Sequence, residues 1–240
     1  VRSGRIPESR VDEAARKVLT LKARLGLHRA RLVDEARVGE FVGTAAHQAL
    51  VQEVADRSLT MLKNDGTVPL AAGAAGAAPK IVNINVQKAA EDPSPAILTA
   101  KLAAAFPGTR SFTLRPDMDP ASYETVWKAV GDSDLVVLSL FVPRNRMGDA
   151  APFRESDLAF IGKVVAAKPK AVVAMSYGNP QLIRKIPGVA AFLVGYGERG
   201  WFGNQAVYFD SFIKALKGEL KPSGRLPVRV SDEYPIGAGL

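Results

Sequence analysis

The stretch "PRNRMGDAAPFRESD", residues 143–157, gathers Arg144, Arg146, Asp149, Arg154, Glu155 and Asp157 in one loop-like segment. Arginines set among acids can hold a carboxylate-bearing or sugar ligand, and a loop glutamate such as Glu155 can serve as a general acid. A plainer reading is that Glu155 and Asp157 complement the positive end of a following helix. The residues alone leave both readings open.

Three other patterns bear on chemistry. Gly195-Tyr-Gly197-Glu-Arg-Gly200 matches G-x-G-x-x-G between a predicted strand and a predicted helix, the setting of a dinucleotide fingerprint. It belongs to the last strand–helix unit, however, and no acidic residue ends a following strand where a ribose would need one. Glu219 is the nearest and closes a helix. A tight turn that lets Trp201 and Phe202 pack explains the glycines better. No phosphate loop of the G-x-x-x-x-G-K-[ST] type occurs. Ser139 and Ser176 fall in or just after buried strands, and neither His28 nor His47 has a context suited to a serine triad or to metal ligation. There is no cysteine, which excludes disulfides, thiol nucleophiles and Cys-based zinc sites. No metal or cofactor is expected.

The elements that must position these residues follow from periodicity. Residues 9–25 read as a helix with Ser9 as N-cap, stopped by Gly26, and 28–44 as a polar linker. A second helix is predicted over 45–63, ending in the Lys63-Asn64-Asp65-Gly66 turn. "AAGAAGAAP" (71–79) is low-complexity and reads as a surface loop. From Lys80 strands and helices alternate: "KIVNINV", a helix opened by Ser94-Pro95, "RSFTL", a helix opened by Asp119-Pro120, then "DLVVLSLFV", whose unbroken apolar run suits a strand buried on both faces. A helix near 156–167, "KAVVAM", a helical turn near 180–186, "AAFLVGY" and a helix near 203–217 complete the series. "RLPVRV" is predicted as a final edge strand, because Pro227 would interrupt a central one. Such alternation specifies an α/β fold, an open, mostly parallel sheet flanked by helices. Ligands of such sheets sit beyond the carboxyl ends of the strands.

Composition narrows the function class. Hydrophobic residues make up 47 % of 240, enough to bury a core, and no apolar run is long enough for a membrane span. The net charge of +8 is spread along the chain. Nucleic-acid binding is disfavoured, since that calls for clustered basic residues interleaved with aromatics. The first residues are charged throughout, unlike a signal peptide, and the sequence begins without Met, as the interior of a longer protein would.

Five stretches in order resemble glycoside hydrolase family 3. "RIPESRVDEAARKVLTLKARLGL" is similar to the last helix of that family's catalytic barrel, and "QEVADRSLTMLKNDGTVPL" to its interdomain segment. "SDLVVLSLF", "VVAMSYGNPQLI" and "ALKGELKPSGRLPV" resemble successive parts of its α/β sandwich domain. The resemblance implies residues 1–27 as the last helix of an absent N-terminal barrel, 28–79 as linker and connecting helix, and 80–240 as the C-terminal α/β sandwich domain. It implies a parent that hydrolyses β-linked N-acetylglucosamine or glucose, with the nucleophilic carboxylate on the barrel, so that this chain alone is inactive. Partners would be the barrel of the same polypeptide and a carbohydrate. Lys63, Asn64 and Asp65 would mark the interdomain seam, and loops 143–157 and 176–180, with Arg144, Arg146, Asp149, Arg154 and Asn179, would wall the sugar site. Glu155 stands where one branch of the family draws its acid from the second domain. The arginine-rich loop and the end of the chain at Leu240 favour the β-N-acetylglucosaminidase-like branch instead. An exported or cell-envelope location is the family's expectation. The alternative is a standalone flavodoxin-like module that binds an anionic glycan.

Overall fold

The computed structural model describes residues 1–240 apart from 71–78, 88–91, 116, 117, 120, 142–152 and 198–205. Two compact units divide the chain, Val1–Ala49 and Leu50–Leu240.

The first unit carries helix α1 (Glu8–Arg24). It begins one position earlier than expected, with Pro7 rather than Ser9 before its first turn. Glu8 lies in the first turn and Lys22 and Arg24 in the last, each favourable to the helix dipole. Glu13 pairs with Lys17 at 2.6 Å, one turn on. Gly26, at φ +70°, lets the chain leave the helix in a left-handed conformation. No residue of α1 is buried. A 3-10 turn (Glu35–Arg37) is capped by Asp34, which accepts from the Ala36 amide, and runs into the short helix α2 (Val38–Phe41). Helix α3 (Ala45–Ser58) spans the boundary between the units.

The second unit is a six-stranded sheet flanked by helices, the α/β sandwich that strand–helix alternation implied. Its strands are β1 (Thr60–Asn64), β2 (Ile81–Gln87), β3 (Arg110–Leu114), β4 (Leu135–Phe141), β5 (Val172–Tyr177) and β6 (Ala191–Gly195). They lie in the order β1-β6-β5-β4-β2-β3. All neighbouring pairs are parallel except β1 with β6. Helices α4 (Ser94–Ala105) and α7 (Ala206–Lys217) cover one face, where Leu98, Leu102, Phe209, Phe212 and Leu216 meet Val137, Val173 and Leu193. Helices α5 (Ala121–Gly131) and α6 (Glu155–Ala167) cover the other, where Val126, Val130, Ile161 and Val164 meet Val136, Leu138 and Ile84. Between β2 and β4 the connections turn to opposite sides of the sheet, the switch point at which such folds open a crevice.

Two elements differ from the sequence expectation. The helix predicted over 45–63 ends at Ser58, and residues 60–64 form β1 against β6. Leu59 and Leu62 fit a helical stripe, but Leu59 and Met61 also share one face of a strand, and pairing with β6 decides between the two periods. The six-stranded sheet therefore includes residues ahead of position 80. The segment "RLPVRV" forms no ladder. Leu226 and Val230 are buried nonetheless, and the strap they anchor is closed by Leu226 N–H to Ala238 O and Val230 N–H to Tyr234 O. This strap crosses β1 closely. The Gly224 amide donates to Leu59 O, and a side chain at 224 would put its Cβ 2.2 Å from Ser58 O.

Candidate functional site

At the carboxyl ends of the parallel strands one row of residues crosses the sheet. Gln87 faces Phe141 in register, and Tyr177 faces Gly195. The Phe141 and Tyr177 rings stack at 4.8 Å, and Phe209 of α7 meets Tyr177 edge-on at 5.0 Å. The Tyr177 hydroxyl is fully buried and, among the described residues, has no partner in hydrogen-bond geometry. Burial pushes its pKa well above the usual value, against a smaller opposing effect from neighbouring Ser139. The Ser139 hydroxyl itself donates to Asn83 Oδ1 at 2.8 Å. Tyr177 is therefore a neutral donor at physiological pH.

Behind this row lies a buried polar ladder. Asn83 Nδ2 donates to Asn85 Oδ1 at 3.0 Å and to Ser111 Oγ at 3.3 Å, and Asn85 Nδ2 donates to Thr99 and Thr113 hydroxyls. The strand "KIVNINV" alternates apolar and polar residues, yet β2 is buried along its whole length. Its polar positions face this network and not solvent. The ladder fixes register, because a one-residue slip would turn both asparagines into the opposite apolar layer.

The start of α6 lies at the same end of the sheet. Arg154 is its N-cap residue, and its guanidinium grips Asp157 twice, Nε to Oδ2 and Nη2 to Oδ1, both at 2.7 Å. Asp157 is 2 % exposed and also accepts from the Tyr123 hydroxyl at 2.8 Å. The remaining guanidinium nitrogen, Nη1, donates to the Arg115 carbonyl. Tyr123 is shifted up, by burial first and then by Asp157. Arg154 is thus held by its own helix and by β3's exit. Glu155 is exposed in the first turn of α6, where its charge suits the helix dipole. Asn179 caps the 3-10 turn Pro180–Lys185 by accepting from Gln181 N–H at 3.0 Å, and its carbonyl accepts from Ser176 Oγ at 2.7 Å. Arg144, Arg146 and Asp149 lie outside the described residues, as do Gly200, Trp201 and Phe202.

Lys63, Asn64 and Asp65 sit at the opposite end of the sheet. Asn64 pairs with Ala191, the first residue of β6. Asn64 Oδ1 accepts from the Gly66 and Val68 amides, and Nδ2 donates to Val68 O at 2.6 Å, so the side chain shapes its own turn. Lys63 Nζ donates to Pro187 O and stands 3.5 Å from Asp65.

The glycines at 195 and 197 have a packing explanation. A Cβ on either would come within 2.6 Å of the Tyr208 ring. Tyr208 in turn reaches Ser58 Oγ at 3.2 Å. Among the described residues no three His, Asp or Glu converge on a metal position, and no helix is long and apolar enough to cross a membrane.

Tyr177 and the Asp157–Tyr123 contact escaped sequence reasoning. The Arg154–Asp157 spacing of three on a helix was legible, but the burial that makes it a lock was not.

No family model matches the chain. A β-N-acetylglucosaminidase/β-glucosidase of Cellulomonas fimi is 37 % identical over 71 residues, 29 % of this chain and 13 % of that protein. A periplasmic β-glucosidase/β-xylosidase of Dickeya chrysanthemi is 32 % identical over 73 residues, 30 % of this chain and 11 % of that protein. Among solved structures, a glycoside hydrolase family 3 β-N-acetylglucosaminidase from Paenibacillus sp. superposes over 96 % of this chain and 41 % of its own, with TM-score 0.65 and 21 % identity. A β-glucoside phosphorylase superposes over 95 % of this chain and 40 % of its own, also with TM-score 0.65, at 20 % identity. The matches thus span a small part of the curated relatives and about two fifths of the solved chains. The chain is similar, over part of their length, to carbohydrate-active enzymes, and its fold is that of a portion of a family 3 β-N-acetylglucosaminidase.

Proposed function

We propose that the chain is the C-terminal α/β sandwich domain of a family 3 glycoside hydrolase, with the last helix of the catalytic barrel attached. The observation that carries this reading is the superposition of nearly the whole chain on two fifths of a larger family 3 enzyme. In it, residues 1–27 close the barrel, the segment from 28 through α3 is linker and connecting helix, and the sheet of the sandwich starts with β1 at Thr60. The barrel of the same polypeptide covers the apolar residues of α1, none of which is buried here. Lys63, Asn64 and Asp65 belong to the seam between the domains.

The parent hydrolyses β-linked N-acetylglucosamine or glucose, with the first preferred. The retaining reaction needs a nucleophilic carboxylate and a general acid about 5 Å apart. The barrel provides the nucleophile, and this domain walls the sugar site from the carboxyl ends of its strands. Glu155 is the candidate acid, exposed in the first turn of α6. Arg144, Arg146, Asp149 and Asn179 are the candidate sugar contacts. Arg154, whose guanidinium is engaged with Asp157, is a further candidate contact. An exported or periplasmic location accords with the Dickeya relative.

The test is hydrolysis of p-nitrophenyl β-N-acetylglucosaminide and β-glucoside by the full-length polypeptide and by residues 1–240. Turnover by the longer protein alone is expected. Turnover by residues 1–240 would overturn the reading.

A further inference from the structure

We infer that the outer edge of β3 pairs with the same strand of a second copy of this chain, antiparallel about Phe112, joining two sheets into one. This does not depend on the glycosidase reading. β3 ends the sheet and is hydrogen-bonded to β2 on one side. The other end of the sheet is closed by the chain itself, where the strap beside β1 gives the Gly224 amide to Leu59 O and the Leu240 amide to Met61 O. Among the described residues no backbone group outside β2 bonds to residues 110–114. An uncovered edge is a template for a further strand, and proteins commonly blunt it with lysine, proline or a bulge. β3, "RSFTL", has none of these, and its register with β2 runs unbroken.

The strand's own sequence selects the occupant. Antiparallel self-pairing centred on Phe112 is the register that keeps all five residues paired. It sets Ser111 opposite Thr113 on one face and Phe112 opposite its own copy on the other, both favourable cross-strand pairs. The Ser111 and Thr113 hydroxyls already accept from Asn83 and Asn85 amides, so each keeps a proton to donate. Their pairing carries the polar ladder across the two-fold axis. A groove of about 340 Å³ opens beside the strand, with Phe112, Thr113 and Met118 among its walls. Phe112 and Thr113 are consecutive and point to opposite faces, so a groove walled by both reaches the strand's edge. There Phe112 of the second copy meets apolar surface. Arg110, whose guanidinium lies 5.6 Å from the Phe112 ring centre, falls opposite Leu114. The two Arg110 charges thus stay at opposite ends of the new ladder.

The chain has no cysteine, which makes the register directly readable. Ser111→Cys and Thr113→Cys proteins, mixed and oxidised, should cross-link to a band at twice 25.6 kDa. Opposed positions stand about 4.5–5.5 Å apart between Cα atoms, within the span of a disulfide. Either variant alone should cross-link far less, because its two cysteines are diagonal neighbours. Sedimentation equilibrium of the unsubstituted chain should give a mass near twice 25.6 kDa at high concentration. Phe112→Lys, which sets like charges face to face, should weaken that dimer by about tenfold or more. Leu19→Lys, on α1, should leave it unchanged. A thermal melt checks the fold of each variant, and the cysteine pair serves if Phe112→Lys does not fold. A monomer at every concentration would overturn the inference. So would a dimer indifferent to folded Phe112→Lys, or cross-linking of each cysteine variant with itself in preference to the mixed pair.

Discussion

Val18, Leu19 and Leu21 of α1 are as apolar as Val136, Leu138 and Leu140 of β4, yet the first three are each more than half exposed and the second three are wholly buried. The two units use the same residue types toward different ends. In residues 50–240 the strands β2, β4, β5 and β6 are buried along their whole length, so their side chains contribute to a core closed within this chain. In residues 1–49 the apolar positions of α1 have no cover, and the helix rests on local terms: its dipole-matched ends and the Glu13–Lys17 pair. Such terms are worth only a few tenths of a kcal/mol each. The difference separates residues that close a core from residues held by local interactions alone.

That contrast can be broken by substitution. Leu138→Ala should cost about 2–5 kcal/mol of unfolding free energy through lost burial and a cavity, read in a denaturant titration of the chain. Leu19→Ala should change the same titration by less than about 0.5 kcal/mol. A comparable loss from both would mean that α1 already has a packing partner within the chain.

Asp56 sharpens the comparison where α3 passes from one unit into the other. Burial alone would raise its carboxyl, but hydrogen bonds from Lys214, Ser211 and Gln52 outweigh that and hold it below the usual carboxylate range. A depressed folded pKa means the contribution is complete above the unfolded value of 3.8 and is lost as pH falls through the folded value. Asp56→Asn should therefore destabilise by about 1–2 kcal/mol at pH 7. The gap to the wild type should close as pH falls below about 4. A gap independent of pH would remove the charge from the explanation.

Tyr177→Phe should have the smallest effect within the sheet. The hydroxyl has no partner among the described residues, so its removal leaves no orphan there, and stability should stay equal or rise by up to about 1 kcal/mol. A marked loss would mean that a bound molecule satisfies the hydroxyl in solution.

Much of the sheet was legible because its strands obey a simple rule. The unbroken apolar run of β4 and the alternation in β2 mark strands under any packing. β1 was hidden because Leu59, Met61 and Leu62 satisfy both helical and strand periods, and only β6 decides between them. The site was less legible for a related reason. Tyr177 matters through what surrounds it in space, and Asp157 reads as a helix-dipole residue until Tyr123 and Arg154 close over it. Gly195 and Gly197 looked like a nucleotide motif in sequence, whereas in the fold their missing side chains make room for Tyr208.

The central claim is that these residues are part of a larger enzyme, and the mass of the native polypeptide tests it most directly. An antibody raised to this domain would be used to probe an extract of the source organism. A catalytic barrel adds roughly 250 residues, so the account predicts a band near twice the 25.6 kDa of this chain. A single band at 25.6 kDa would contradict it.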